Sequence, residues 1–110
     1  MQAANVIEAL GALAQEHRLA VYRQLVQAGQ FGMAAGAIAE AIGIPNSSLS
    51  FHLAQLRSAG LILQERQHRS LIYRANYPVM NALLGYLTEN CCAGAECGAV
   101  EDPGQERKTA

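Results

Sequence analysis

The first sixty residues carry apolar side chains at the three- and four-residue spacing of amphipathic helices. This pattern predicts four helices, over residues 4–14, 16–28 and 34–42, and over a stretch that begins near Asn46 and ends before Gly60. Glycines follow three of these segments, at Gly29, Gly43 and Gly60, as is common at helix C-termini. Pro45 and Asn46 predict a tight turn and an N-terminal cap between the third and fourth helices.

Two β-rich runs follow, Leu61–Arg66 and Ser70–Ala75, on either side of a polar Gln67-His68-Arg69 turn. They predict a hairpin. Residues 78–90 regain helical spacing and begin with a proline, which the first turn of a helix accepts. The predicted order is α-α-α-α-β-β-α, a mainly α (α+β) chain. Two short helices joined by a tight turn and followed by a hairpin form the winged helix-turn-helix layout, whose second helix enters the major groove of DNA.

Composition fits one small globular domain, since the 110 residues are 51% hydrophobic and 15% charged. The formal net charge of −1 is not typical of a nucleic-acid-binding protein. Charge is unevenly distributed, however. Residues 51–75 hold four arginines (57, 66, 69 and 74) against Glu65 alone, a local balance of +3. We therefore expect one basic surface on a chain that is acidic elsewhere.

The polar face of the fourth helix differs from an ordinary solvated face, which would carry mostly Lys, Glu and Arg. It offers short neutral hydrogen-bonding groups and one aromatic ring: Asn46, Ser47, Ser48, Ser50, Phe51 and Gln55. Such side chains can approach base edges, and a phenylalanine can contact a thymine methyl. The alternative is that the serines only cap the helix and that Phe51 packs in the core.

The hairpin carries Arg66, His68 and Arg69 around its turn. They are predicted to contact phosphates or the minor groove, and Arg57 at the end of the fourth helix is predicted to add a backbone contact. These residues could instead be ordinary solvated side chains.

The first and last helices are more apolar than a small domain needs, which predicts a homodimer through Val6, Leu10, Leu13, Val79, Met80, Leu83 and Leu87.

Three stretches, "LAVYRQLVQAG", "AIAEAIGIPNSSLSFHLAQLRSAGLI" and "ERQHRSLIYRA", together resemble the ArsR family of metalloid-responsive repressors over roughly residues 8–90. The most specific element is S-x-x-S-x-H-L-x-x-L-x-x-A-G-L, which begins at Ser47. The resemblance implies a cytosolic homodimer that binds double-stranded operator DNA and leaves it when an inducer binds. Phe51 stands where many members have a polar or basic residue, so the resemblance implies nothing about the operator sequence.

The inducer sites known from two branches of that family are not expected here. The helix "AAGAIAEAI" has no cysteine for the C-V-C arsenic site, and "PVMNALLGYLTEN" has no histidine for the zinc site. All three cysteines, Cys91, Cys92 and Cys97, instead lie within "NCCAGAEC". This is similar to a subgroup with a vicinal pair just past the last helix and a third cysteine shortly after.

Soft thiolates suit As(III) or Sb(III), and the short spacer between Cys92 and Cys97 could bring three sulfurs onto one ion. We therefore predict As(III) or Sb(III) as the inducer and no organic cofactor. Zinc or cadmium stays open with Glu96 or His68 as a fourth ligand. A redox or reactive-sulfur sensor is the main alternative, and three incidental thiols the simplest one.

The chain shows no apolar run of membrane-spanning length and no basic leader, which predicts a cytoplasmic protein without a membrane partner. No histidine adjoins the cysteines and no cofactor motif occurs, so an enzyme is not predicted. The predicted domains are a DNA-binding and dimerisation domain (1–90), a metalloid-binding segment (91–97) and a disordered C-terminal segment (98–110).

Overall fold

A computed structural model of the chain describes residues 1–94. These residues form five α-helices and three β-strands: α1 Ala3–Leu13, α2 Glu16–Ala28, β1 Met33–Ala34, α3 Ala35–Ile42, α4 Asn46–Ser58, β2 Ile62–Gln67, β3 Ser70–Ala75 and α5 Tyr77–Thr88. The predicted helices and hairpin are confirmed, and their ends agree to within about two residues. Residues 98–110 and Cys97, for which disorder and metal binding were predicted, lie outside the described residues.

All five helices contribute to one apolar core. On its buried side α4 contacts α1, α2 and α3, and its C-terminal end contacts β2. The largest fully buried side chains come from α2 to α5 and from the residue before β2: Val21, Leu25, Ile38, Leu49, Leu56, Leu61 and Leu83. Because three leucines of α4 belong to this core, the helix presents its opposite face outward in a fixed orientation.

The hairpin is the predicted wing. Strands β2 and β3 pair antiparallel from Ile62 opposite Ala75 to Gln67 opposite Ser70, which leaves a two-residue loop of His68 and Arg69. His68 has a φ of 58°, the left-handed conformation that two-residue hairpin loops require at their first position. The tight loop therefore forms without a glycine, and it projects both side chains from the end of the wing.

Strand β1 was not predicted. Met33 and Ala34 pair with Tyr73 and Ile72, so the sheet order is β1-β3-β2. The preceding Gly32 has a φ of 68°, and a Cβ there would lie 2.5 Å from the carbonyl oxygen of Tyr73. Only glycine permits this close approach of the backbone to β3, and the two residues that follow it become the edge of the sheet.

The predicted cap of α4 is corrected. Asn46 is the first helical residue, Pro45 occupies the N-cap position with an extended backbone, and no side chain caps the helix. Pro45 has no side-chain acceptor, so the N-cap residue leaves the first backbone amides of the helix without a side-chain partner.

Candidate nucleic-acid interface and cysteine segment

Helix α4, which we call the recognition helix, is divided cleanly between a buried and an exposed side. Leu49, Leu53 and Leu56 enter the core. The six residues predicted to approach DNA are all exposed: Asn46, Ser47, Ser48, Ser50, Phe51 and Gln55. The structure thus brings the predicted polar face together on one surface, as a helix in the major groove requires.

The two alternatives for this face are not supported. Phe51 is 59% exposed and does not pack in the core. The serines do not cap the helix, since its N-terminus has no side-chain cap. Serine is a mediocre helix former, so serines clustered in the first turns weaken the helix, and no capping hydrogen bond compensates for this cost.

An aromatic contact connects this face to α2. The ring of Phe51 lies edge-on to that of His52, with centroids 5.8 Å apart, and His52 lies against His17 of α2 at 5.6 Å. The Nδ1 atom of His52 is buried without a hydrogen-bond partner among the described residues. Burial, and then the charges of Arg18 and His17, lower the pKa of His52 from its ordinary value of 6.5. The imidazole is therefore held neutral near pH 7.

The wing presents Arg66, His68 and Arg69 to solvent, and Arg57 is exposed in the last turn of the recognition helix. Arg74, which contributed to the predicted basic segment, is engaged within the protein. Its guanidinium donates to the backbone carbonyl of Gln30 at 2.6 Å and pairs with Glu65. The cations of residues 51–75 that stay available to phosphates are the three arginines predicted for the interface.

An open groove of about 480 Å³ lies where the recognition helix meets the wing. Its lining combines both elements: Ala54, Arg57, Ser58, Ile62, Leu63 and Gln64. Gln64 donates to the hydroxyl of Tyr73 at 2.8 Å, which fixes that side of the groove. Arg57, in the last turn of the recognition helix, therefore lies beside the first residues of the wing.

The predicted dimer residues divide into three groups. Val6 and Leu83 are 3% and 2% exposed and belong to the protomer's own core, so the prediction that they face a partner is wrong. Leu13, Val79 and Met80 pack partly against that core, while Leu10 and Leu87 are exposed. The error has a geometric reason: the next residue along a helix points about 100° away.

The exposed apolar positions on these helices are the neighbours of the buried ones. Ile7 is 70% exposed and Leu84 is 53% exposed, and both were missed as interface candidates. Helix α1 contacts α5, and each helix exposes two of these large apolar side chains, Ile7 and Leu10 on α1 and Leu84 and Leu87 on α5. We call these four residues the α1/α5 face.

Cys91 and Cys92 are free and exposed in the short segment Cys91–Gly94 just after α5, whose backbone is non-helical at Cys92 and Ala93. Asn90 and Cys92 both have left-handed backbone conformations, with φ of 58° and 60°, so the chain turns sharply here. Residues 1–94 contain no group of three His, Cys, Asp or Glu side chains that could hold a metal ion. The third predicted ligand, Cys97, lies outside this range.

Sequence reasoning missed the His17–His52 contact. The only available signal was a histidine on the side of a helix between apolar and polar stripes, and no pattern connects it with a residue 35 positions earlier.

No helix within residues 1–94 has the length and apolar character needed to cross a membrane.

Residues 13–65 match the model of a helix-turn-helix domain family. Nodulation protein NolR of Rhizobium meliloti is 33% identical over 101 residues, which are 92% of this chain and 79% of that protein. A homodimeric winged helix-turn-helix DNA-binding domain from Mycobacterium bovis, a possible ArsR-family regulator, is 29% identical with a TM-score of 0.63, covering 79% of this chain and 81% of its own. An ArsR-like regulator from Rhodococcus sp. RHA1 shares the fold, with a TM-score of 0.69, 24% identity and 76% of each chain covered.

Fold and interface together define a winged helix-turn-helix DNA-binding protein. The chain belongs to the ArsR family of transcriptional regulators, as its sequence resemblance implied. It is a transcriptional regulator rather than an enzyme.

Proposed function

We propose that this protein is a cytoplasmic transcriptional repressor that binds double-stranded operator DNA as a homodimer and releases it when As(III) or Sb(III) binds Cys91, Cys92 and Cys97. One observation carries the inducible part of this proposal. A free, exposed cysteine pair follows directly on α5, the helix that contributes half of the α1/α5 face.

The DNA-binding part of the proposal rests on two exposed surfaces with different chemistry, the face of the recognition helix and the wing. The neutral face of the recognition helix supplies contacts to base edges, and the arginines of the wing neutralise phosphates. Ser47→Ala or Ser50→Ala should reduce discrimination between operator and random DNA, by about 1–3 kcal/mol for a direct contact.

A homodimer is supported by the α1/α5 face. Four large apolar side chains exposed on two contacting helices of a protomer of this size are typical of an interaction surface. The matched Mycobacterium bovis domain is described as homodimeric. A dimer of this chain carries two recognition helices, and proteins of this class place such a pair on successive turns of DNA.

The inducer follows from the chemistry of the donors. Thiolates are soft ligands and prefer soft thiophilic ions. Cys91 and Cys92 supply two sulfurs, and a four-residue spacer is short enough for Cys97 to supply a third at small entropic cost. A structural zinc site would need a fourth ligand.

Release requires that the inducer favour one dimer geometry over another, because a ligand shifts an equilibrium only by its differential affinity. Binding at residues 91–97 constrains the end of α5 and thereby the α1/α5 face. A coupling of about 1–3 kcal/mol between two sites is typical of such regulation.

The test is a fluorescence-anisotropy titration of the full-length protein on a duplex selected from a random pool. Arsenite and antimonite should lower its affinity, and Cys91→Ser or Cys92→Ser should abolish that effect. Asn90→Gly is the matched control, because glycine accepts the φ of 58° there. Cys97→Ser should weaken the response to arsenite more than the response to a monomethylated arsenical, which has one valence occupied by carbon.

Other additives distinguish the alternatives. Release by diamide but not by arsenite would contradict metalloid sensing and favour a redox sensor. Release by zinc alone would assign the cysteines to a different metal. A protein that stays bound under every condition would be a constitutive DNA-binding protein.

A further inference from the structure

The centre of the recognition helix exposes side chains that cannot form hydrogen bonds. Phe51 is 59% exposed, and Ala54, one turn later on the same face, is also exposed. Hydrogen-bonding groups flank them at Ser47 and Gln55, four residues to either side of Phe51. The helix thus carries an apolar spot between polar groups.

In the major groove the apolar feature of a base edge is the C5 methyl group of thymine. An aromatic ring at the middle of a recognition helix fits this group and offers nothing to the amino, carbonyl or N7 positions of the other bases. Ala54 adds a methyl group to the same spot, which enlarges the apolar contact without adding a polar one.

Contacts inside the protein hold the ring of Phe51 in place. Its ring packs edge-on against His52 at 5.8 Å with an interplanar angle of 66°. His52 in turn packs against His17 at 5.6 Å. The start of α2 is itself fixed to α1, since Arg18 donates from Nε to the carbonyl oxygen of Ala12 at 2.6 Å.

The contribution of His52 is one of packing. Its Nδ1 atom is buried and has no hydrogen-bond partner among the described residues. An aromatic ring without that nitrogen would preserve both ring contacts, whereas a methyl group would preserve neither.

We propose that Phe51, held in position by the His17–His52 contact, selects a thymine methyl group in each operator half-site, with His52 as a positioning residue. This inference rests on the proposed DNA-binding function and adds to it the chemical group that is recognised.

The first experiment uses the full-length protein and the duplex that it selects from a random pool. Each thymidine is replaced in turn by deoxyuridine, which removes only the methyl group. At one position in each half-site the affinity should fall about fourfold, the equivalent of about 0.8 kcal/mol for one buried apolar carbon. Phe51→Ala should bind the two duplexes equally, and Ser47→Ala should keep the fourfold ratio.

The second experiment tests the positioning role. His52→Ala should lose the thymine-to-uracil ratio while its affinity for random duplex stays unchanged, and His52→Phe should restore the ratio. A circular-dichroism melt of each variant shows whether it is folded at the assay temperature. If His52→Ala is unfolded there, His17→Ala breaks the same contact from the other side and should lose the ratio.

The outcomes separate the two proposals. Sequence-specific binding in which no uracil substitution changes the affinity, or in which Phe51→Ala keeps the ratio, would overturn methyl recognition and leave DNA binding intact. Loss of the ratio in His52→Phe as well as in His52→Ala would overturn the positioning role. A selection that enriches no sequence would overturn the proposed function itself.

Discussion

Arg74 of β3 donates from Nε to the backbone carbonyl oxygen of Gln30, 2.6 Å away and 44 residues earlier in the chain. The same guanidinium pairs with Glu65 of β2. One side chain therefore connects both strands of the wing to the segment before β1. Its charge serves the fold, although in the sequence it is indistinguishable from the arginines predicted to contact DNA.

Arg74 and Arg69 should consequently behave in opposite ways. Arg74→Ala should lower the free energy of unfolding by about 1 kcal/mol, because a hydrogen bond and a partly exposed ion pair are lost. Arg69→Ala should leave stability unchanged and should flatten the salt dependence of DNA binding by about one unit of log–log slope. Urea denaturation and binding titrations at several salt concentrations measure both. An unchanged salt dependence in Arg69→Ala would contradict the assignment of the wing.

Gly32 should be intolerant of a side chain. Gly32→Ala introduces a Cβ at a φ of 68° and 2.5 Å from the carbonyl oxygen of Tyr73, so it should destabilise the protein by more than about 1 kcal/mol. Gly36→Ala is the matched control, since a Cβ on this exposed residue of α3 meets nothing within 4 Å. It should be neutral or stabilising by up to about 1 kcal/mol. Equal melting temperatures for the two variants would refute the close approach.

Most of the fold could be predicted because its signals are local. The helices follow from apolar spacing, and Gly43 ends α3 in the left-handed conformation expected of a glycine stop. Strand β1 could not be predicted, because it is two residues long and exists only through pairing with Tyr73 and Ile72, almost forty residues later. The sequence also could not show which apolar residues of α1 and α5 face the core and which face solvent. Both sides of each helix carry apolar residues, and they differ only in the direction in which they point.

Stability should decrease in mildly acidic solution through His52. Its pKa in the folded protein lies below the unfolded value of 6.5, so the unfolded state binds more protons in the interval between the two. The contribution of neutral His52 to the free energy of unfolding should therefore be fully present above about pH 6.5. It should decrease as the pH falls through that interval towards the folded pKa. Urea denaturation at about pH 7 and about pH 5 measures the difference.

His52→Asn should remove part of this pH dependence, because asparagine does not titrate. His68→Asn, on the exposed loop of the wing, is the control and should retain it. A His52→Asn variant with the full pH dependence of the original protein would show that another group is responsible.

Two neighbouring leucines of α5 should have separable roles. Leu83→Ala should lower stability by about 2–5 kcal/mol, because Leu83 is 2% exposed and its removal leaves a cavity. Leu84→Glu should leave the protomer folded and raise the dimer dissociation constant, because Leu84 is 53% exposed on the α1/α5 face. Sedimentation equilibrium combined with thermal melts measures both quantities. A Leu84→Glu protein that is dimeric at the same concentrations as the original would refute the interface.

The candidate site was predictable to the extent that it is made of side chains on one regular element. Every residue predicted for the face of the recognition helix is exposed there, because helical periodicity fixes direction. The aromatic contact between His17 and His52 was not predictable, since it depends on how α2 crosses α4. The engagement of Arg74 by Gln30 likewise depends on tertiary structure.

The central claim is that the cysteine segment senses the inducer while residues 1–90 bind DNA. The most direct measurement is an arsenite titration of the protein–DNA complex with the full-length chain and with a chain that ends at Asn90, each accompanied by a circular-dichroism melt. We expect both proteins to be folded and to bind the selected duplex, and only the full-length protein to release it on addition of arsenite. A folded protein ending at Asn90 that is still released by arsenite would contradict the proposed site.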